Sequence, residues 1–348
     1  MTGNEPSREL GMVESPPANG HDFGVLFRTL RRRLFGISAR ETSFERRGFS
    51  GGANGVRERL EQIGSTFVAG YHAALETGAV EELEARLQQV TMELRGFAFE
   101  GAAMGLALLD WLTPWKRDRI AHFLAGAGDA HAYMVHVGIG WAWARLPVNL
   151  ERAITRFDPL LRWLVVDGYG FHEGFFRWPR YLNGQAPQRQ ITGYGLRAFD
   201  QGLGRCLWFI KGGEVERIVQ AIADFPKARQ GDLWSGVGLA STYAGFASEA
   251  MLQHLRQRAG LYQAELAQGA AFAAKARSRA GNATEYTGRA VHNLCGMTTV
   301  AAAQLTDQML SNLPTDTSEA AFEVWRQRLS QCFRDCPQES VLKPGSVL

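Results

Sequence analysis

The sequence predicts an all-α protein built of tandem irregular helical hairpins, a TPR-like α-solenoid, or an α/α toroid if the array closes. Three observations carry that prediction. First, six short motifs place a glycine at one matched position: Phe99-Glu100-Gly101-Ala102-Ala103, His136-Val137-Gly138-Ile139-Gly140, His172-Glu173-Gly174-Phe175-Phe176, Asp200-Gln201-Gly202-Leu203-Gly204, Trp234-Ser235-Gly236-Val237-Gly238 and Ala267-Gln268-Gly269-Ala270-Ala271. Second, the steps between these glycines are 37, 36, 28, 34 and 33 residues, a period that stacked hairpins leave in a sequence. Third, apolar helical sequence follows the motifs, as in Met104-Gly105-Leu106-Ala107-Leu108-Leu109 and Leu207-Trp208-Phe209-Ile210.

Residues 1–22 carry Gly, Pro, Asn, Ser and Glu without apolar periodicity, which reads as a disordered tail. Residues 23–35 mix Phe23, Val25, Leu26, Phe27, Leu30, Leu34 and Phe35 with Arg28, Arg31, Arg32 and Arg33, a basic amphipathic helix. Such a helix caps the end of a repeat stack, or meets an anionic membrane or an acidic partner. With the two helices read over 56–88, it makes residues 23–90 an N-terminal capping region. The hairpin array follows over 91–312, and 313–348 form a capping helix and tail. Return helices over 214–225 and 247–258 stop before Pro226 and Gly260.

Glycine inside a helix costs about 0.5–1 kcal/mol relative to alanine, so matched glycines need a compensating gain, and close approach of neighbouring helices supplies it. A second small residue two positions on (Ala103, Gly140, Gly204, Gly238, Ala271) widens that surface. The third motif departs from the pattern with Phe176, and Trp178-Pro179-Arg180-Tyr181-Leu182-Asn183-Gly184-Gln185-Ala186-Pro187 interrupts the next step with turn-forming residues. The centre of the array is therefore irregular, as functional faces of repeat proteins often are.

Composition narrows the function. The chain of 348 residues is 45% hydrophobic and 21% charged, enough for a large core, and a net charge of +3 gives no reason to expect nucleic acid. Cys206, Cys295, Cys332 and Cys336 have no CxxC or CxxH spacing, which reads as free thiols in a reducing cytoplasm. No apolar run approaches the ~18 residues of a membrane span. The expected location is cytoplasmic, with peripheral contact at the inner face of the membrane as an option for Arg28, Arg31, Arg32 and Arg33.

Aligning the motifs puts Glu100, Val137, Glu173, Gln201, Ser235 and Gln268 just before the glycines, with His136, His172 and Asp200 one further back. Equivalent positions on successive hairpins line one surface, so these polar groups are candidates for a shared concave lining. Three readings stand side by side. The first is polar lining that satisfies helix N-termini. The second is acid/base work by His172 and Glu173 with Glu100, His136 and Asp200 as neighbours. The third is a metal site drawn from Asp129, His131, His136, His172 and Glu173, a set that suits iron or zinc, although His131 and His136 do not share a helical face and no HExxH is present. Aromatic residues crowd the centre, and Trp141, Tyr169, Phe171 and Phe175, with Trp208, Trp234, Gln201 and Gln268, are candidates to bind a long hydrophobic or conjugated chain. No phosphate loop, dinucleotide fingerprint or nucleophile elbow is present.

The stretches Leu30-Arg31-Arg32-Arg33-Leu34-Phe35-Gly36-Ile37, Arg95-Gly96-Phe97-Ala98-Phe99-Glu100-Gly101, Asp129-Ala130-His131-Ala132-Tyr133-Met134-Val135-His136, Val166-Asp167-Gly168-Tyr169-Gly170-Phe171-His172-Glu173 and Arg197-Ala198-Phe199-Asp200-Gln201-Gly202 resemble the UnbL-like family of enediyne biosynthesis proteins. So do Leu233-Trp234-Ser235-Gly236-Val237-Gly238 and Leu266-Ala267-Gln268-Gly269-Ala270-Ala271. The resemblance spans about residues 25–330. It implies a role in turning a linear polyene, made by an iterative polyketide synthase, into an enediyne or polyyne core, beside UnbU-like membrane proteins and UnbV-like proteins. It brings no assigned catalytic residue or cofactor. The alternative reading is a non-catalytic scaffold that holds those two partners together.

Overall fold

The computed structural model describes residues 20–335 except 53, 54, 78, 116, 117, 184, 185, 187, 189 and 314–319. Among the described residues long apolar helices alternate with shorter amphipathic ones, and there is no strand. In chain order they are α1 (Gly20–Phe35), α2 (Phe44–Arg47), α3 (Val56–Glu76), α4 (Val80–Gln88), α5 (Met92–Leu112), α6 (Arg119–Ala125), α7 (Ala132–Trp143), α8 (Leu150–Ile154) and α9 (Arg162–Phe176). The second half continues with α10 (Tyr194–Ile210), α11 (Val215–Ala223), α12 (Lys227–Ala244), α13 (Glu249–Ala259), α14 (Gln263–Arg279), α15 (Glu285–Cys295), α16 (Thr299–Met309) and α17 (Ala321–Asp335). The all-helical hairpin array expected from the motifs is the observed architecture. Residues 1–19 and 336–348, which hold most of the predicted N-terminal tail, the C-terminal tail and Cys336, lie outside the described residues; α1 begins at Gly20, inside the stretch read as tail.

The inner layer is the series α3, α5, α7, α9, α10, α12 and α14, each packed on the next. What lets them pack is the glycines. A Cβ on Gly101 would stand 1.9 Å from the Phe67 carbonyl oxygen of α3, and one on Gly70 would stand 2.0 Å from that of Ala98. The same reciprocal crossing recurs from α9 to α10 (Gly202 on Asp167, Gly170 on Phe199) and from α12 to α14 (Gly269 on Ser235, Gly238 on Leu266). Contacts this short replace side chains by backbone, so each pair of helices meets along its motif and burial follows on both flanks.

Two details of the repeat differ from the sequence reading. In α9 the crossing glycines are Gly168 and Gly170, against Val137 and Phe199 oxygens, whereas Gly174 meets only side-chain atoms of Cys206 and Leu203. The third motif is therefore Asp167-Gly168-Tyr169-Gly170, six residues earlier than His172-Glu173-Gly174, and the steps become 37, 30, 34, 34 and 33. The interruption expected from the turn-forming residues over 178–187 is present in the return segment: among the described residues, a π-turn at Pro179–Asn183 and no outer helix follows α9. In addition, α3 makes the same glycine crossing as the later helices, which puts it in the array and not merely on its end.

The array curls back on itself. Five places on from α3, the end of α12 accepts a hydrogen bond from Arg59 Nε at Ala244 O (3.4 Å). Five places on from α5, α14 sends Arg277 Nη1 to Glu93 O (2.7 Å), and Asn282 Nδ2 reaches Met92 O (3.3 Å). Arg279 closes a further contact on Asp129 Oδ1 at 2.7 Å. The inner helices thus surround a common interior. At the outside, α1 is tied down by its arginines: Arg28 pairs with Glu82, Arg32 with Glu76, and Arg31 donates to Thr77 O, which leaves Arg33 exposed.

Candidate functional site

Inside the coil, residues from α3, α5, α7, α9, α10 and α12 line a narrow slot with almost wholly apolar walls. Phe67 of α3 lies 4.5 Å from Trp141 of α7 between ring centres, Trp141 lies 5.2 Å from Phe171 of α9, and Phe171 lies 5.3 Å from Phe209 of α10. Phe97 and Tyr243 close the side opposite, 5.2 Å apart. The segment from Ile37 to Phe49 covers this slot. Phe44, Phe49 and Phe175 stack edge to face in series, and Arg47 fastens the cover by donating to the carbonyls of Phe175 (3.1 Å) and Phe176 (2.9 Å).

Among the described residues one carboxyl and one guanidinium face this apolar space, those of Glu100 and Arg205, apart from Glu41 at its rim. Glu100 sits just before the crossing glycine of α5, so the helix pair that needs Gly101 also turns its carboxyl inward. It accepts one hydrogen bond, from Trp141 Nε1 at 3.1 Å. Burial pushes its pKa up to about 7, with the negative charge of Asp167 adding to the rise while Arg205 and Trp141 oppose it. Arg205 bonds Asp167 through Nη1 and lies 5.1 Å over the Phe171 ring; its buried Nε has no hydrogen-bond partner. From Asp167 a buried polar line runs between helices: Gln201 Nε2 donates to Asp167 Oδ2 (3.0 Å), Ser235 Oγ to Gln268 Oε1 (2.7 Å), and Arg326 Nε to Gln268 Oε1 (3.4 Å). Asp167 neutralises Arg205, so a protonated Glu100 leaves the interior without net charge.

The other residues singled out by sequence are dispersed. His172 Nδ1 lies 3.3 Å from Glu173 Oε1, so neighbouring residues on α9 do meet, and Arg177 Nη1 donates to Glu173 Oε2 at 2.9 Å. This pair lies behind Trp141, edge-on to His172 at 5.5 Å. Burial lowers the His172 pKa; it also works against charge on Glu173, yet His172, Arg177 and Tyr181 together hold that carboxyl below its ordinary range. Asp200 does not line the slot and is held by Arg229 at the start of α12 (2.8 and 2.5 Å), and His136 bonds Ala132 O at 2.7 Å beside a separate pocket. Tyr169 reaches out to Gln190 (3.3 Å), while Trp208 and Trp234 are core residues that do not line the slot. Gln201 and Gln268 belong to the interhelical polar line. The proposed metal set does not converge: Asp129 pairs with Arg279, His131 stacks on Phe99 at 4.2 Å, and among the described residues no three His, Cys, Asp or Glu side chains are placed to share an ion. An iron reading accordingly finds no ligand set there.

Residues 26–333 match a family described as "Protein of unknown function (DUF1702)". The chain belongs to this family. No curated protein and no solved structure matches it. In this DUF1702 chain the interior residues that sequence reasoning passed over are Asp167, Arg205 and Tyr243. A signal for the first existed, since Gly168-Tyr169-Gly170 repeats the spacing of Gly202-Leu203-Gly204 better than Gly174 does. For Arg205, one turn past Gly202, and Tyr243, two turns past Gly236, the repeat register carries no such mark. No helix among the described residues is long and apolar enough to cross a membrane.

Proposed function

We propose that this chain binds a long, neutral, unsaturated carbon chain bearing a carbonyl oxygen in its interior slot and exchanges a proton with it through Glu100. The observation that carries the reading is a carboxyl with a pKa near 7 enclosed by aromatic walls. A general acid or base is most effective when its pKa lies near the working pH. Because Asp167 already balances Arg205, a carboxylate ligand would bring an uncompensated buried charge, and a neutral chain would not. The unpartnered Nε–H of Arg205 is a ready donor to an oxygen on that chain. A carbonyl held there would make a neighbouring C–H more acidic and so removable by the Glu100 carboxylate.

The resemblance to UnbL-like proteins supports a linear polyene of polyketide origin as the ligand, and a step toward an enediyne or polyyne core as the setting. The scaffold alternative assigns no work to Glu100. Methyl parinarate, a neutral conjugated tetraene, is the probe: its fluorescence should rise saturably with purified protein, and Phe175→Arg should abolish the rise. Folded protein without saturable binding overturns the reading. In a producing host, Glu100→Gln should stop product formation and leave polyene accumulated, whereas unchanged titre would remove the proton-transfer role and favour the scaffold.

A further inference from the structure

Below the slot lies a second narrow apolar compartment, walled by α7, α9, α10, α12, α14 and α17. Its aromatic end is built by Phe272, Phe322 and Trp325, with Phe272 4.4 Å from Trp325 between ring centres. The two spaces share three wall residues, Arg205, Leu239 and Tyr243. Their order along the helices is consistent: α7 lines the second compartment with Met134 and Val137 and the first with Trp141, and α9 does so with Leu164 and Asp167, then Phe171 and Phe175. Along α9 alone, Leu164 to Phe175 covers about 16 Å at 1.5 Å per residue.

We propose that the slot and this compartment form one bore with a polar waist at Glu100, Arg205 and Tyr243, so that a long ligand is threaded through it and met at its middle. The inference rests on the binding reading above and goes beyond it by fixing where on the chain Glu100 acts and which residues measure chain length. Three features bear on it. The waist holds the one guanidinium N–H at the junction that lacks a partner, so a polar acceptor belongs there and apolar arms on either side. Both arms are apolar: among the described residues no charged side chain lines the second compartment except Asp167 and Arg205 at the waist and Lys275, which pairs with Asp307. Tyr243 fits the waist because Gly96 leaves room for its hydroxyl, a Cβ there standing 2.1 Å from Tyr243 Oη.

The experiment blocks the far arm alone. Ala276 lines the second compartment and is half-buried, so Ala276→Phe fills it from the rim with little demand on the core. Equilibrium dialysis is run with two neutral probes, methyl parinarate and a short conjugated trienoate ester that fits the slot. Ala276→Phe should weaken methyl parinarate by about tenfold or more and leave the short ester within about twofold. Retention of the short ester by Ala276→Phe, with an unchanged circular-dichroism spectrum, is the control for general damage. Equal binding of both probes to wild type and Ala276→Phe overturns the bore while leaving slot binding intact. Failure of both probes on folded wild-type protein overturns the binding reading itself.

Discussion

Two buried glutamates on inner helices two places apart, α5 and α9, end up with opposite acidities. Glu173 is fully buried, yet His172, Arg177 and Tyr181 all face its carboxylate and hold its pKa down. Glu100 is almost as buried, but its one hydrogen-bond donor is the neutral Trp141 indole, and the nearest guanidinium is already claimed by Asp167. Loss of surface exposure alone therefore does not decide which carboxyl can hold a proton near neutral pH; how deep the group lies, the number of its donors and the ownership of the nearest cation do. The His172–Glu173 pair is an internally satisfied cluster, whereas Glu100 is left with hydrogen-bonding capacity to spare on the wall of an apolar slot.

The largest effect expected is from the cation that separates the two cases. Arg205→Met leaves Asp167 buried with Gln201 alone, and breaking a buried pair in this way costs about 3–5 kcal/mol. Urea unfolding at neutral pH measures it, and a loss under about 1 kcal/mol would show that Asp167 does not depend on Arg205. Next comes Glu100→Gln. The folded pKa of Glu100 lies above its ordinary value of 4.5, at about 7, so the native state keeps a proton that the unfolded chain releases within that window. Its contribution is intact below the window, and stability is lost as pH rises through it, by about 3 kcal/mol in all. Glu100→Gln keeps the acceptor for Trp141 and removes the loss. The variant should match wild type near pH 5 and exceed it near pH 8, and parallel stability profiles would falsify the raised pKa.

The difference between the two glutamates was partly legible beforehand. The period of the glycines, and with it the hairpin array, follows from steric demands that only glycine meets, as at Gly101 and Gly202, so the fold was open to reading. Glu100 was also visible, through its place before a crossing glycine. His172 and Glu173 drew attention for the wrong structural reason, because Gly174 shares a motif's look without making a crossing. The partners that set acidity were hidden. Arg205 meets Asp167 only because α9 and α10 cross at Gly202 and Gly170, and Tyr243 reaches the interior only because the coil brings α12 back against α5. Both depend on curvature, which the repeat period does not encode.

Smaller effects should fall on the satisfied cluster, with the opposite sign. Glu173→Gln removes the charge that Arg177 and His172 surround, so it should destabilise by about 1–2 kcal/mol at neutral pH. The wild-type pKa is lowered, so this contribution is present above the ordinary carboxylate range and is lost as pH falls through the folded value. The gap between Glu173→Gln and wild type should thus close on acidification, whereas that between Glu100→Gln and wild type opens on alkalinisation. A gap independent of pH would mean that the geometry of Glu173, and not its charge, is what the cluster needs.

The smallest effect tests which donor matters. Arg177 is 54% exposed, so its ion pair with Glu173 is screened by solvent and should contribute no more than about 1 kcal/mol. Arg177→Ala should accordingly lower stability slightly, and the difference should shrink further in high salt. His172 and Tyr181 would continue to hold the Glu173 carboxyl down in that variant, so the pH at which acid begins to unfold it should move little. A large upward shift of that pH would instead make the exposed arginine the group that distinguishes Glu173 from Glu100. Ownership of one guanidinium would then account for both carboxyls, since Glu100 faces a cation that is already paired and Glu173 faces one that is its own.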